Sequence, residues 1–250
     1  MAGRILLGLD VGGSSIKGAL VDVDRGATSS ALRSVATPSP STPEQVLEAC
    51  AQIDRELGAS GAVGLAFPAV VQRGIARTAA NVDKSWIGCA GGERLAQLIG
   101  RPVSFINDAD AAGLAEVAAG AASGVRGVVI LLTFGTGIGS GLFLDGELVP
   151  NTELGHLEFH GRDAELSASA RVRTEEHLDW PGWCARVNDY LARLHALFWP
   201  DLFIIGGSVT EHFDQFGPLL RSPTLIRRAT HAGQAGVIGA AFAAARAQQR

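Results

Sequence analysis

Apolar positions along this chain fall in short continuous blocks, each ended by glycine, proline or an acid, with helical spacing between some of them. Residues 4–11 make the first block, ending in Asp10-Val11-Gly12-Gly13, and 16–23 resumes it after a Gly/Ser turn, which predicts a β-hairpin. A third strand is expected over 31–37. The stretch Ser39 to Glu44 reads as a loop whose Thr42, with Pro43 in the first turn, caps a helix running to about Leu57 and closed by Gly58. Buried strands are expected over 62–67, stopped by Pro68, and over 103–106, the latter followed by Asn107-Asp108 and an Ala-rich helix to about Ala119. From Gly127 a strand over 128–133, a Gly-rich turn over 135–139 and a strand over 140–144 repeat the opening hairpin. A helix over 183–198, a buried strand over 202–205 and a small-residue helix over 236–245 complete the pattern. Strands and helices alternate throughout, so the class is α/β. The duplicated hairpin predicts two related halves facing each other across a cleft: a first domain over 1–107 joined by the C-terminal helix 236–250, and a second over 108–235.

Composition narrows the function classes. With 21 basic and 25 acidic residues in 250, a net charge of -4, the chain exerts no global pull on nucleic acid or anionic lipid, so any polyanion must be held locally. Cys50, Cys89 and Cys184 lie far apart with no CxxC pair, which argues against a disulfide framework or a Cys-rich zinc site and fits a reducing cytoplasm. Asp10 ends the first apolar run too soon for a signal peptide, and no later run approaches the ~20 residues of a membrane span. Only two lysines, Lys17 and Lys84, survive among the arginines, both in segments that look functional for other reasons; a compact ammonium is what a planar fork cannot replace.

The candidate chemistry sits at the turns. Leu9 to Gly18 has neither P-loop nor GxGxxG spacing, yet Gly12 and Gly13 expose backbone N–H groups beside the Ser14 and Ser15 hydroxyls and the Lys17 cation, parts that cradle phosphate as well as parts of an ordinary turn. Asp10 is placed to hold Mg²⁺ through water. The second turn, around Thr136 and Gly137, spends glycines where a strand would place contacts, and Gly206-Gly207 ends a buried strand, where α/β sheets border ligand crevices. Asn107-Asp108 opens a helix, where an acid is either a cap or a general base, with Asp110 the better cap-type residue. Glu153 and His156 on a loop suit sugar hydroxyls. Gly155 argues against a metal pair made of His156 and His160.

Taken in order, these segments resemble the ROK family of sugar kinases, and within it the polyphosphate glucokinase branch. The motifs carrying the resemblance are the opening hairpin, Gly64 to Pro68, Thr78 to Gly88 with Asn81-Val82-Asp83-Lys84-Ser85-Trp86, Asn107 to Gly113, Thr136 to Ser140, and Pro150 to Glu158. The resemblance implies a two-domain actin-like/RNase H-like sugar kinase fold and a cytoplasmic homodimer. It implies that Asp108 takes the proton from the 6-hydroxyl of glucose, while Asn81, Asn107, Glu153, His156 and Glu165 bind the sugar. Asp10, Gly12, Gly13, Ser14, Lys17, Thr136, Gly137, Gly206 and Gly207 would surround the phosphates of polyphosphate or ATP with Mg²⁺. Two departures stand out. Gly161-Arg162-Asp163-Ala164-Glu165 replaces the family's Cys-rich zinc loop, so no structural zinc is expected and His156 must be positioned otherwise. Val209-Thr210-Glu211-His212 lacks the basic residues common in the polyphosphate branch, for which Lys84, Arg171 and Arg173 would compensate. The alternatives are an ATP-only hexokinase and a catalytically silent sugar-binding protein.

Overall fold

The computed structural model describes residues 3–231 and 233–249. Residues 1, 2 and 250 of the expected first domain, and residue 232 of the second, lie outside the described residues. In chain order come β1 Ile5–Val11, β2 Ser15–Asp22, β3 Ala27–Thr28, β4 Arg33–Ala36, α1 Pro43–Leu57, β5 Val63–Phe67, β6 Val71–Gln72, β7 Ile75–Ala76, α2 Gly91–Ile99, β8 Val103–Asn107 and α3 Asp108–Ala119. There follow β9 Val128–Phe134, β10 Ile138–Leu144, β11 Glu147–Val149, β12 Glu158–Phe159, β13 Arg162–Asp163, α4 Glu165–Ala168, α5 Ala170–Glu175, α6 Trp180–Phe198, β14 Leu202–Gly206, α7 Phe213–Phe216, β15 Leu225–Arg228 and α8 Ala235–Ala247.

The chain forms two compact units, Met1–Ala119 with Gln234–Arg250, and Gly120–Gly233. The break falls after Ala119 rather than after Asn107, so α3 belongs with the first unit. The reason is its packing on α8: both helices are rich in alanine, and a Cβ at Gly239 would lie 1.6 Å from the Ala111 carbonyl oxygen, so the two backbones touch.

In the first unit the sheet runs β3-β2-β1-β5-β8, with β4 also pairing β2. β1 and β2 are antiparallel, and β5 is parallel to both β1 and β8. Because side chains alternate along a strand, Leu7, Leu9 and Val11 join Val46, Leu47 and Cys50 of α1 in one core, while Leu6 joins Val237 and Ile238 of α8 in another. α8 also approaches by backbone: a Cβ at Gly8 or Gly64 would meet the Val237 or Ala240 carbonyl oxygen at 1.9 or 1.8 Å. α1 is capped as its sequence predicts, Thr42 Oγ1 accepting from the Gln45 N–H and Gly58 ending it in the left-handed region.

The second unit repeats the scheme. Its sheet runs β11-β10-β9-β14-β15, with β9 and β10 an antiparallel hairpin and β14 parallel to β9, as β5 is to β1. Phe134, Trp183, Tyr190, Phe203 and Phe216 fill its core. Several elements lie outside the strands and helices expected from the sequence, α2 and β15 among them. α2 opens on Gly91-Gly92, which reads as loop, yet a side chain at 92 would press on Phe105, so the glycines serve helix-on-strand packing. β15, Leu-Ile-Arg-Arg, is largely exposed and exists because β14 offers it a parallel edge.

Candidate functional site

In the first unit the β1–β2 register sets Asp10 opposite Lys17 and Val11 opposite Ile16, leaving residues 12–14 as the turn. Gly12 does not expose its N–H as the sequence suggests: it donates to the Ser15 carbonyl at 2.9 Å, the Thr37 hydroxyl donates to the Gly12 carbonyl at 2.6 Å, and the Thr37 N–H donates to Ser14 O at 3.1 Å. The turn is thereby fixed from within. At Gly13 a Cβ would meet nothing within 4 Å, so the fold itself does not ask for glycine there; open space over an exposed turn is what a phosphate chain needs. Burial pushes the Asp10 carboxyl up to about 6, with the Lys17 ammonium offsetting part of that rise.

At the start of α3, Asn107 is the cap. Its Oδ1 accepts from Ala109 N at 2.9 Å and Asp110 N at 3.0 Å, the second and third helical positions that a cap serves, and its Nδ2 donates to Ala69 O at 3.1 Å. Asp110 therefore is not the cap: it lies three residues too late and is buried. Asp108, part-buried, accepts the Ala109 N–H on Oδ1 at 2.8 Å, at the positive end of the helix. Asn107 thus holds the start of the helix whose first residue is Asp108. Asn81 is exposed. Lys84, expected to help hold a polyanion, is exposed and donates to Ala79 O at 2.5 Å, closing the turn that leads to the buried Trp86.

In the second unit the sugar-loop candidates converge. The one-turn 3-10 segment Leu154–His156 follows Glu153, and positions i and i+3 eclipse in that geometry, so Glu153 and His156 stand side by side with Oε2 and Nε2 3.9 Å apart. Both are open to solvent, at 38% and 54% side-chain exposure. His156 Nδ1 meets Asp163 Oδ2 at 2.9 Å. That hydrogen bond first, with the charges of Glu165, Glu153 and Asp163, raises the imidazole above its ordinary value against the opposing effect of burial. Partial burial raises Glu153; His156 lowers it and Glu165 raises it further.

Glu165 reaches the second glycine turn. Its Oε2 accepts from Ile138 N at 3.2 Å, and a Cβ at Gly137 would lie 2.3 Å from the same oxygen. A side chain at 137 would push the Glu165 carboxylate off the Ile138 N–H. Thr136 is exposed beside it. Gly207 has a similar internal reason: φ is +85° and a Cβ would lie 2.4 Å from Phe134 O, whereas Gly206 has only ordinary contacts. Of the proposed compensating arginines, Arg171 is exposed, while the Arg173 guanidinium lies 3.6 Å over the Trp180 ring.

Three residues that sequence reasoning missed brace this loop. The Ser140 hydroxyl donates to Thr152 O and accepts from Leu154 N at 2.9 Å, and the buried Tyr190 hydroxyl donates to Leu154 O at 2.9 Å. Asp163 is the third. Ser140 carried a faint signal, a polar residue within an otherwise apolar and glycine strand; Tyr190 sits on α6, 36 residues from Leu154, and carried none. Ser140→Ala is expected to leave a part-buried N–H and a part-buried carbonyl without their side-chain partner, costing ~1 kcal/mol, read as a lower melting temperature.

Residues 6–174 match the ROK family. The polyphosphate glucokinase of Mycobacterium tuberculosis (strain CDC 1551 / Oshkosh) is 45% identical over 237 residues, 94% of this chain and 89% of that protein. The crystal structure of an inorganic polyphosphate/ATP-glucomannokinase from Arthrobacter sp. strain KM superposes with a TM-score of 0.93 at 44% identity, covering 98% of this chain and 100% of that one. A ROK family glucokinase from Streptomyces griseus, solved with glucose and AMPPNP, shares the fold at a TM-score of 0.83 and 24% identity, over 97% of this chain and 100% of that one.

Proposed function

The chain belongs to the ROK family and has its two-domain, actin-like α/β fold, and from that premise we propose that it is a glucokinase, a phosphotransferase that moves a phosphoryl group from inorganic polyphosphate, and also from ATP, to the 6-hydroxyl of glucose. The observation that carries the reading is the Glu153–His156 pair. Its 3.9 Å gap is too wide for a direct hydrogen bond, and it is one that a hydroxyl can bridge by donating to the carboxylate while pairing with Nε2. The 45% identity over 94% of the chain supports the donor.

In this reading Asp108 takes the proton from the 6-hydroxyl as the bond to phosphorus forms and the donor's bridging oxygen leaves in line. Phosphoryl transfer asks a protein mainly to position groups and neutralise charge. Asn107 holds the helix start that aims Asp108. Glu153, His156, Glu165 and Asn81 hold the other hydroxyls. Gly12, Gly13, Ser14 and Lys17, with Thr136, Gly137, Gly206 and Gly207, receive the donor, Lys17 supplying a cation.

Among the described residues no group of three His, Cys, Asp or Glu side chains is placed to hold a metal ion. Mg²⁺ does not need one, since it keeps most of its waters and takes one or two carboxylates plus the donor's phosphates. Asp10 fits that part, a carboxylate whose burial a cation would relieve. When bound, Mg²⁺ supplies neutralisation of the charge on the donor's oxygens.

The test is to incubate the protein with glucose and Mg²⁺, offering polyphosphate or ATP separately, and to measure glucose 6-phosphate. Product from both donors is expected. Product from ATP alone would favour an ATP-only hexokinase, a second reading that the acid at Glu211 in the turn after β14 supports; no product from either would leave a silent sugar-binding protein. The same reading places the enzyme in a reducing cytoplasm, which free, buried Cys50, Cys89 and Cys184 support. Among the described residues no helix is long and apolar enough to cross a membrane. A homodimer belongs to this reading as well, checked by light scattering.

A further inference from the structure

Among the described residues no group of three His, Cys, Asp or Glu side chains is placed to fix His156 through a metal ion, so its ring orientation rests on protein contacts. The β12–β13 hairpin supplies the partner. Glu158 pairs with Asp163 and Phe159 with Arg162, and the two-residue turn between them has positive φ at both His160 (54°) and Gly161 (78°), the tight hairpin form that matches strand twist. The hairpin is tied on both sides: Arg162 Nε donates to Ser167 Oγ at 2.8 Å, Ala164 N donates to Leu157 O at 3.0 Å, and Phe159 packs edge-on against Tyr190, ring centroids 6.4 Å apart. Asp163 therefore rides on a fixed element, and its Oδ2 lies 2.9 Å from His156 Nδ1.

We propose that Asp163 is a positioning residue for sugar binding: its carboxylate takes the Nδ1 hydrogen of His156, locks the ring, and leaves Nε2 as the atom that meets a sugar hydroxyl next to Glu153. The inference rests on the glucokinase reading and deepens it. A carboxylate only accepts hydrogen bonds, so Nδ1 carries the proton in either charge state of the ring, and the tautomer that would turn a bare nitrogen toward Asp163 is disfavoured. The charged groups facing the imidazole are Asp163 on Nδ1, Glu153 on Nε2 and Glu165 close by. All three favour the imidazolium, so Asp163 also decides over which pH range Nε2 donates rather than accepts.

Two variants separate the parts. Asp163→Asn keeps an accepting oxygen and loses the charge; Asp163→Ala loses both. The expected result for Asp163→Ala is a KM for glucose raised roughly ten-fold, with kcat at saturating glucose within about two-fold of the parent, because the chemistry at Asp108 is untouched. For Asp163→Asn the expected result is a smaller rise in KM and a shift to lower pH of the inflection in KM that follows His156. A fall in kcat with unchanged KM, or an unmoved inflection in both variants, would overturn the proposal and leave the contact as a surface pair of no consequence. Nitrogen NMR of His156 in the protein without sugar or donor tests the same contact independently: Nδ1–H in the parent, a mixture of tautomers in Asp163→Ala. If the parent transfers no phosphoryl group to glucose yet shows that tautomer signature, the glucokinase reading fails while the positioning holds; unchanged nitrogen shifts in Asp163→Ala sink the positioning itself.

Discussion

Asp108→Asn is expected to lower turnover with glucose by about 10²–10⁴-fold, the usual worth of a positioned general base, while α3 keeps its start. The second half of the expectation follows from local geometry. Asp108 Oδ1 accepts the Ala109 N–H, and an asparagine oxygen can accept the same bond, so α3 keeps its start; the capping itself is done by Asn107. What the amide cannot do is take the hydroxyl proton. Loss of product with either donor, at unchanged KM for glucose, is the outcome that identifies the base. A variant retaining most of its turnover would remove Asp108 from the chemistry and make it a second acid at a helix start, favourable there for electrostatic reasons alone.

Gly239→Ala is expected to destabilise the first unit severely. In most helices the exchange would gain about 1 kcal/mol, because glycine is the poorer helix former. Here the new Cβ would lie 1.6 Å from the Ala111 carbonyl oxygen, and the obstacle is backbone, which has no other rotamer to take. Overpacking typically costs ~1–3 kcal/mol and more when backbone must shift, so the clash outweighs the propensity and α8 must move away from α3. The same displacement would pull on Gly8 and Gly64, over which α8 lies in backbone contact, and on the strand that carries Asp10. A fall in melting temperature of several degrees is the expected reading; a rise would mean that the two helices have room to separate without cost.

The regular elements were legible from local rules. The Thr42 cap, Pro43 in the first turn and Gly58 beyond the end delimit α1 as written, and the two glycine hairpins appear where the apolar blocks break. The candidate site segments stood out too, because glycine runs, Asn-Asp at a strand end and an acid three residues before a histidine are contiguous in the chain. Other features were not. Asp110 looked like the better cap, but a cap is chosen by which oxygen reaches two particular N–H groups, and that oxygen is on Asn107. Gly12 looked like a free donor, and only Ser15 facing it across the turn shows the N–H to be spent.

By itself the sequence determined the alternation of strands and helices, the duplicated hairpin and the residue types available for phosphate and sugar, since these depend on neighbours within a few positions. Only the tertiary structure decided that α3 packs in the first unit, that Gly137 makes room for Glu165, and that Ser140, Tyr190 and Asp163 brace the loop carrying Glu153 and His156. Such facts depend on distances between residues far apart in the chain or on separate elements, and a hydrogen bond or a backbone contact has a range of about 3 Å, which no local pattern of hydrophobic and polar positions records.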